Sequence, residues 1–176
     1  MRSIFLITAL ILTACASNVQ NQASSPSIPN IEYPHYKRPN LVVADLDRSL
    51  LIYRDILGFE AASISDSSTD SFSYPVFNFP SEVRMRYTYL GEPGEARVFG
   101  ITEVKNITLR PLPDTPHRAA HVIGVTDLAG KIEKIKALDL KVTDSKIAGG
   151  TEFRFIEQAF TDYDGHLIVL YEILSP

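Results

Sequence analysis

The chain has 176 residues, of which 45% are hydrophobic and 22% charged, with one cysteine and no tryptophan. That length fits one domain or two small fused modules, and the apolar content excludes wholesale disorder. The formal net charge is −4, from 17 basic and 21 acidic residues, so we expect no nucleic-acid partner. A single cysteine excludes an intrachain disulfide framework and a multi-cysteine zinc site.

Residues 1–14 have the pattern of a secretory signal peptide. A basic start is followed by an apolar run over residues 3–12, which is too short to cross a bilayer as a helix. The run ends in Leu-Thr-Ala-Cys at residues 12–15, which resembles the lipobox of bacterial lipoproteins. The resemblance implies that Cys15 is lipidated and becomes the first residue of the mature protein. The alternative is an ordinary signal peptide with a chance cysteine.

Residues 15–34 are rich in Ser, Asn, Gln and Pro, with too few apolar side chains to form a core. We therefore expect a flexible tether between the lipid and a domain that begins at residue 35. Ala16 and Ser17 follow the cysteine, with no aspartate. By resemblance to the sorting rule of Gram-negative lipoproteins, this implies a lipid-anchored protein of the outer membrane that faces the periplasm.

The first half of the domain, about residues 35–112, begins with a strand-like run at 40–43. Asp45 is placed to cap a helix, and Gly58 is placed to end it. The polar segment 65–70 predicts a loop, and the segments 72–79, 83–90 and 96–104 predict extended structure, the first of them irregular because of Pro75. The apolar stripe of the predicted helix consists of Leu46, Leu50, Tyr53 and Leu57.

The second half, about residues 117–176, repeats this order after a proline-rich connector at 109–116. A strand is predicted at 119–125, a helix cap at Asp127, and two further strands at 153–160 and 166–173. The apolar stripe of the second helix consists of Leu128, Ile132, Ile135 and Leu138. An internal repeat of this size predicts two equivalent modules.

Three segments resemble the vicinal oxygen chelate superfamily, which includes glyoxalase I, bleomycin resistance proteins and dioxygenases. Residues 45–49 (Asp-Leu-Asp-Arg-Ser) and 53–59 (Tyr-Arg-Asp-Ile-Leu-Gly-Phe) resemble its opening motif. Residues 162–166 (Asp-Tyr-Asp-Gly-His) resemble its final turn. The resemblance implies an α+β fold of two tandem βαβββ modules, which form a curled sheet with one shared concave pocket.

Metal-dependent members of the superfamily use four ligands on the first and last strands of the modules. By the resemblance, these positions correspond to Arg38, Gly100, Ala120 and Val169, none of which is a metal ligand. We therefore expect no cofactor, and a divalent metal only as an alternative.

The alternative metal site has the four potential ligands His35, Glu103, His121 and Glu172. Each is displaced from the implied position by one or three residues. An odd displacement along a strand turns the side chain to the opposite face of the sheet. We therefore expect these side chains to face the helices or solvent, outside the pocket.

Alternation along the strands predicts which polar side chains reach the pocket. The candidates for ligand binding are Arg38, Asn40, Arg86, Arg154, Gln158 and Tyr171. Guanidinium groups inside a pocket favour an anionic or oxygen-rich ligand, and Tyr87 and Tyr89 could stack on a planar one. The alternative is that the arginines face solvent and the tyrosines belong to the core.

Three functions follow from this pattern. The first is a membrane-anchored protein that binds a small molecule without the usual metal site. The second is an enzyme of lyase, isomerase or dioxygenase type, either metal-dependent or acting through acids such as Glu103 or Glu152. The third is an envelope interaction module with a vestigial pocket. The complete internal repeat permits a monomer or a homodimer.

Overall fold

The computed structural model describes residues 34–113, 116–150 and 153–174. The predicted signal peptide, Cys15 and all but the last residue of the predicted tether lie outside these ranges, as does Glu152. No helix in the described ranges is long and apolar enough to cross a membrane.

The first half begins with strand β1 (Asn40–Val43) and helix α1 (Leu46–Leu50), which continues as a π-helix over Leu51–Ile56. Asp45 caps α1 as predicted, since its carboxylate accepts a 3.0 Å hydrogen bond from the Arg48 N–H. Gly58 has a φ of +92°, which a residue with a Cβ would adopt only with strain, and the chain turns there into the next strand.

The remaining elements of the first half are β2 (Glu60–Ala61), β3 (Ser65–Asp66), helix α2 (Ser73–Val76), β4 (Arg84–Glu92) and β5 (Glu95–Lys105). The strands form one sheet in the order β1-β5-β4-β2, and β3 also pairs with β4. Strand β1 runs parallel to β5, and the other pairs are antiparallel.

The prediction of extended structure over residues 72–79 was wrong. The segment contains α2, and the strand pairing occurs earlier, at Ser65 and Asp66, where a loop was expected. Pro75 explains the difference, because it has no N–H to donate to a ladder but is tolerated in the first turn of a helix.

The second half consists of β6 (Ala120–Gly124), α3 (Leu128–Ala137), β7 (Lys146–Gly149), β8 (Arg154–Thr161) and β9 (Leu167–Leu174). Its sheet has the order β6-β9-β8-β7, with β6 parallel to β9 and the other pairs antiparallel. Each half therefore places its first strand beside its last and its helix between them along the chain. This confirms the α+β class and the two-sheet architecture.

Helices α1, with its π-helical continuation, and α3 pack on one shared core, whereas Tyr74 of α2 belongs to a second, smaller cluster. The predicted stripe residues of the first helix and three of the four in the second are buried, and they belong to one cluster with Leu41, Ile168 and Leu170 from the sheets. A fully buried side chain of this kind contributes about 1.5–3 kcal/mol. We call the side of each sheet that contacts this core the helix face, and the opposite side the open face.

Candidate functional site

Strand register places a set of polar and aromatic side chains on the open face of the first sheet. Leu41 and Val43 of β1 are buried on the helix face, so Asn40 lies on the open face. Asn40 pairs with Gly100 of β5, and Gly100 pairs with Tyr89 of β4. The side chains that share this face are Arg38, Asn40, Tyr87, Tyr89 and Thr102.

These side chains line a cavity of about 660 Å³, which we call the Arg38 cavity. Segment 66–79, which includes α2, forms its other side. Phe72 and Phe77 line the cavity and are 74% and 50% exposed, respectively. Two large aromatic side chains left open to solvent at one cavity indicate a surface that a ligand would cover.

The Arg38 cavity draws its described lining residues from the first half alone. The Arg38 cavity is therefore not the expected pocket that both halves share. A separate cavity of about 490 Å³ lies where the halves meet, and Leu57, Phe99 and Ala120 contribute to it.

In the Arg38 cavity, the guanidinium of Arg38 lies beside the aromatic rings of Tyr87 and Tyr89. The Arg38 guanidinium lies 4.2 Å from the centre of the Tyr89 ring, and Arg97 lies 5.2 Å from the same ring. Tyr87 packs edge-on against Tyr89, with ring centres 5.6 Å apart. Arg38 forms no ion pair with any described residue, so its charge is available to a ligand.

Asn40 is held in position by its neighbours. The Thr102 hydroxyl donates a 3.2 Å hydrogen bond to Asn40 Oδ1, which leaves the Asn40 amide N–H groups for a ligand. A Cβ at position 100 would lie 2.5 Å from Asn40 Oδ1, so this orientation of Asn40 requires a glycine at position 100.

The four implied metal positions do not fit a metal ion. Arg38 and Gly100 lie on the open face of the first sheet, and Ala120 and Val169 lie on the open face of the second. Together they offer a guanidinium, no side chain and two apolar groups, and Asn40 occupies the space beside Gly100. No group of three or more His, Cys, Asp or Glu side chains in the described ranges is arranged to hold a metal.

Glu103, a member of the alternative ligand set, is fully buried on the helix face. It accepts a 3.0 Å hydrogen bond from the Leu46 N–H at the start of α1 and forms ion pairs with Arg86 and Lys105. Burial opposes ionisation of Glu103, but the hydrogen bonds from Arg86, from the Leu46 N–H and from Lys105 outweigh it and lower its pKa. The Glu103 carboxylate therefore binds and stabilises the start of α1.

Glu172 has the equivalent role in the second half. It accepts hydrogen bonds of 3.0 Å from the Asp127 N–H and 2.9 Å from the Leu128 N–H, at the start of α3. His121 packs edge-on against Phe99 with ring centres 5.4 Å apart, and His35 is exposed. Glu103, His121 and Glu172 thus form no metal-binding group in the described ranges. The sequence signal for the capping role is a glutamate at the same place in the last strand of each half.

Four of the six predicted pocket residues lie outside the Arg38 cavity, and three of these four lie on the helix face of their sheet. Arg86 points to the helix face, where it pairs with Glu103 and, at 2.7 Å, with Asp47. Gln158 pairs in register with the core residue Leu170 and donates a 2.6 Å hydrogen bond to the Thr143 carbonyl. Arg154 is four residues from Gln158 in the same strand and shares its face.

Tyr171 lies on the open face of the second sheet, opposite Gly124. Of the six candidates, only Arg38 and Asn40 therefore line the Arg38 cavity. Phe72 and Phe77 were not predicted as lining residues, because segment 72–79 was interpreted as a strand.

The sequence profile of the Glyoxalase/Bleomycin resistance protein/Dioxygenase superfamily matches residues 33–170. No significant match is found among curated proteins.

Solved structures of the same architecture are similar to this chain. A glyoxalase family protein from Bacillus cereus superposes with a TM-score of 0.66 at 12% identity, covering 85% of this chain and all of the other. The trypanothione-dependent glyoxalase I of Leishmania major gives 0.53 at 19% identity, covering 78% and 86%. The fosfomycin resistance protein of Listeria monocytogenes, solved with Mn(II) and sulfate, gives 0.50 at 20% identity, covering 80% and 93%. At these identities the likeness shows the fold alone.

Proposed function

Because the chain belongs to the Glyoxalase/Bleomycin resistance protein/Dioxygenase superfamily, we propose that it binds a small anionic or oxygen-rich molecule in the Arg38 cavity, without the metal centre of metal-dependent members. The observation that carries this proposal is Arg38 itself, an arginine without an ion-pair partner among the described residues, held over Tyr89 in a cavity of about 660 Å³.

The chemistry of the lining supports an oxygen-bearing ligand with a flat body. A guanidinium donates in-plane hydrogen bonds to carboxylate, phosphate or sulfonate oxygens, and the Asn40 amide adds further donors. Tyr87 and the exposed rings of Phe72 and Phe77 offer apolar surfaces for stacking. Covering these rings would remove apolar area from water, at about 25 cal/mol per Å².

We test ligand binding by thermal shift of the full chain against a panel of small carboxylates, phosphates and sulfonates, followed by calorimetry. The matched variants are Arg38→Ala and Arg154→Ala, since both remove an arginine but only Arg38 lines the cavity. The expected result is a ligand whose affinity falls at least about tenfold with Arg38→Ala, a loss of about 1.4 kcal/mol, and is unchanged with Arg154→Ala.

Equal losses in the two variants, or no stabilising compound in the panel, would count against the proposal. Conversion of the bound compound, followed by NMR, would support the enzyme alternative over binding alone.

The proposal includes a lipid anchor at Cys15 and a place in the outer membrane facing the periplasm. It rests on the signal-like run and the Leu-Thr-Ala-Cys sequence at residues 12–15. The expected result is incorporation of labelled palmitate into the full chain and its recovery with outer membranes. Cys15→Ser should lose both, and a Cys15→Ser protein that is still acylated and membrane-bound contradicts the anchor.

A further inference from the structure

A third cavity, of about 380 Å³, lies at the connector between the two halves and is separate from the Arg38 cavity. The connector contributes Leu112, Pro113 and His117, and the second sheet and its final turn contribute His121, His166 and Leu167. We call it the histidine cavity. Most of its lining is apolar, with a few polar groups, which is the usual make-up of a site for a small ligand.

The His166 ring is oriented by Asp162. Its Nδ1 lies 3.0 and 3.1 Å from the two Asp162 oxygens. Asp162 also accepts hydrogen bonds from the Tyr53 hydroxyl at 2.8 Å, the Asp164 N–H at 3.0 Å and the His166 N–H at 2.8 Å. A carboxylate surrounded by donors stays ionised, so Nδ1 of His166 carries a proton and Nε2 is the nitrogen left for a ligand.

The electrostatics of Asp162 agree with this geometry. Burial opposes its ionisation, but the hydrogen bond and charge of His166 and the hydrogen bond from Tyr53 outweigh burial and lower the pKa of Asp162. Asp162 and His166 therefore form an oriented acid–base pair, in which Nε2 of His166 is the nitrogen left for a ligand.

His117 gives a second and independent observation. Its Nε2 is buried and has no hydrogen-bond partner among the described residues. An unsatisfied buried polar atom costs about 1–3 kcal/mol, and native structures rarely leave one without a partner. A polar group bound in the cavity would supply that partner.

His121 is the third imidazole that lines the histidine cavity. Burial, and next the charge of His166, lower the pKa of His121, while the charge of Asp162 partly opposes this. His121 is therefore neutral near pH 7. A neutral imidazole suits a ligand with a single acidic oxygen, since it adds no second positive charge to an apolar space.

We propose that the histidine cavity binds a small weak acid with an apolar body, such as an aromatic carboxylic acid, whose oxygen shares a proton with His166 Nε2. Leu112, Pro113 and Leu167 contact the apolar body.

The probe for this site is benzoate, titrated into the full chain while the imidazole nitrogens are followed by ¹⁵N NMR. The chain has four histidines, and the exposed His35, which does not line the cavity, is the internal reference. We expect saturable shifts of the nitrogen signals of His117, His121 and His166, with none at His35. Benzyl alcohol, which has the same ring but is a far weaker acid, should bind at least about tenfold more weakly.

Two variants test where benzoate binds. His166→Gln removes the free imidazole nitrogen but disturbs Asp162, so Ala119→Trp is the second variant, because it fills the cavity and leaves the Asp162 hydrogen bonds intact. Both should abolish the saturable shifts of the remaining cavity histidines, and Ala119→Trp should keep the wild-type melting temperature.

Arg38→Ala separates this proposal from the proposed function, because Arg38 lines only the other cavity. A benzoate response that survives Arg38→Ala supports the histidine cavity. A response lost in Arg38→Ala, a response retained in Ala119→Trp, or no shift at saturating benzoate overturns the proposal.

Discussion

Glu103 accepts a 3.0 Å hydrogen bond from the Leu46 N–H, which ties the last strand of the first half to the start of its helix. The second half repeats the contact with Glu172 and Leu128, at 2.9 Å. The first N–H groups of a helix have no partner within the helix and carry partial positive charge, so a carboxylate is favoured there. In this chain both glutamates stabilise helix starts.

The Glu103 contact predicts a large loss of stability in Glu103→Gln. The amide cannot accept hydrogen bonds at both positions and leaves Arg86 with a poorer partner, so we expect a loss of about 3 kcal/mol in the free energy of unfolding. Urea denaturation measures it. The matched variant Glu172→Gln alters the same type of contact at a partly exposed site and should cost about 1 kcal/mol. Equal effects of the two variants would show that the burial of Glu103 is not decisive.

Gly100→Ala should weaken ligand binding in the Arg38 cavity. The added Cβ would lie 2.5 Å from Asn40 Oδ1, so the Asn40 side chain must move and lose its hydrogen bond from Thr102. We expect affinity for the ligand to fall about tenfold, or about 1.4 kcal/mol, as measured by calorimetry. Gly150→Ala, where a Cβ meets no atom within 4 Å, is the control and should bind normally. Unchanged affinity in Gly100→Ala would show that the Asn40 side chain does not contribute to ligand binding.

Tyr53→Phe should loosen the junction between the halves. The Tyr53 hydroxyl donates a buried 2.8 Å hydrogen bond to the charged Asp162 of the other half, and such bonds contribute about 1.5–3 kcal/mol. Tyr74→Phe is the matched control, because the Tyr74 hydroxyl donates to the neutral Val83 carbonyl within the first half, for about 1 kcal/mol. The prediction fails if denaturant unfolding shows the smaller loss for Tyr53→Phe.

His121 predicts a pH dependence of stability. Its pKa in the folded protein lies below the ordinary 6.5, chiefly through burial and then through the charge of His166. The unfolded chain therefore binds a proton first as the pH falls through 6.5, and the free energy of unfolding decreases. His121→Gln should remove this contribution, so that the variant loses less stability than the wild type between pH 7 and 5.5. If the free energy of unfolding depends on pH in the same way in His121→Gln and the wild type, His121 is not the source of this pH dependence.

The sequence alone determined the order and ends of most elements, because these depend on local chemistry. Asp45 caps α1 and Gly58 ends its continuation through hydrogen bonds and dihedral angles that involve neighbouring residues only. The two-residue period of a strand also predicted that Glu103 and Glu172 face the helices or solvent, and both bind helix starts.

The tertiary structure decided which side chains share a cavity. Alternation groups Arg154 with Gln158, and Tyr87 with Tyr89, but it does not say which face of a strand meets the core. Pairing of Gln158 with buried Leu170, and of Tyr89 with Gly100, settles that question. Such pairing joins residues far apart in the chain, so its outcome depends on how the two sheets bury their apolar faces against the helices.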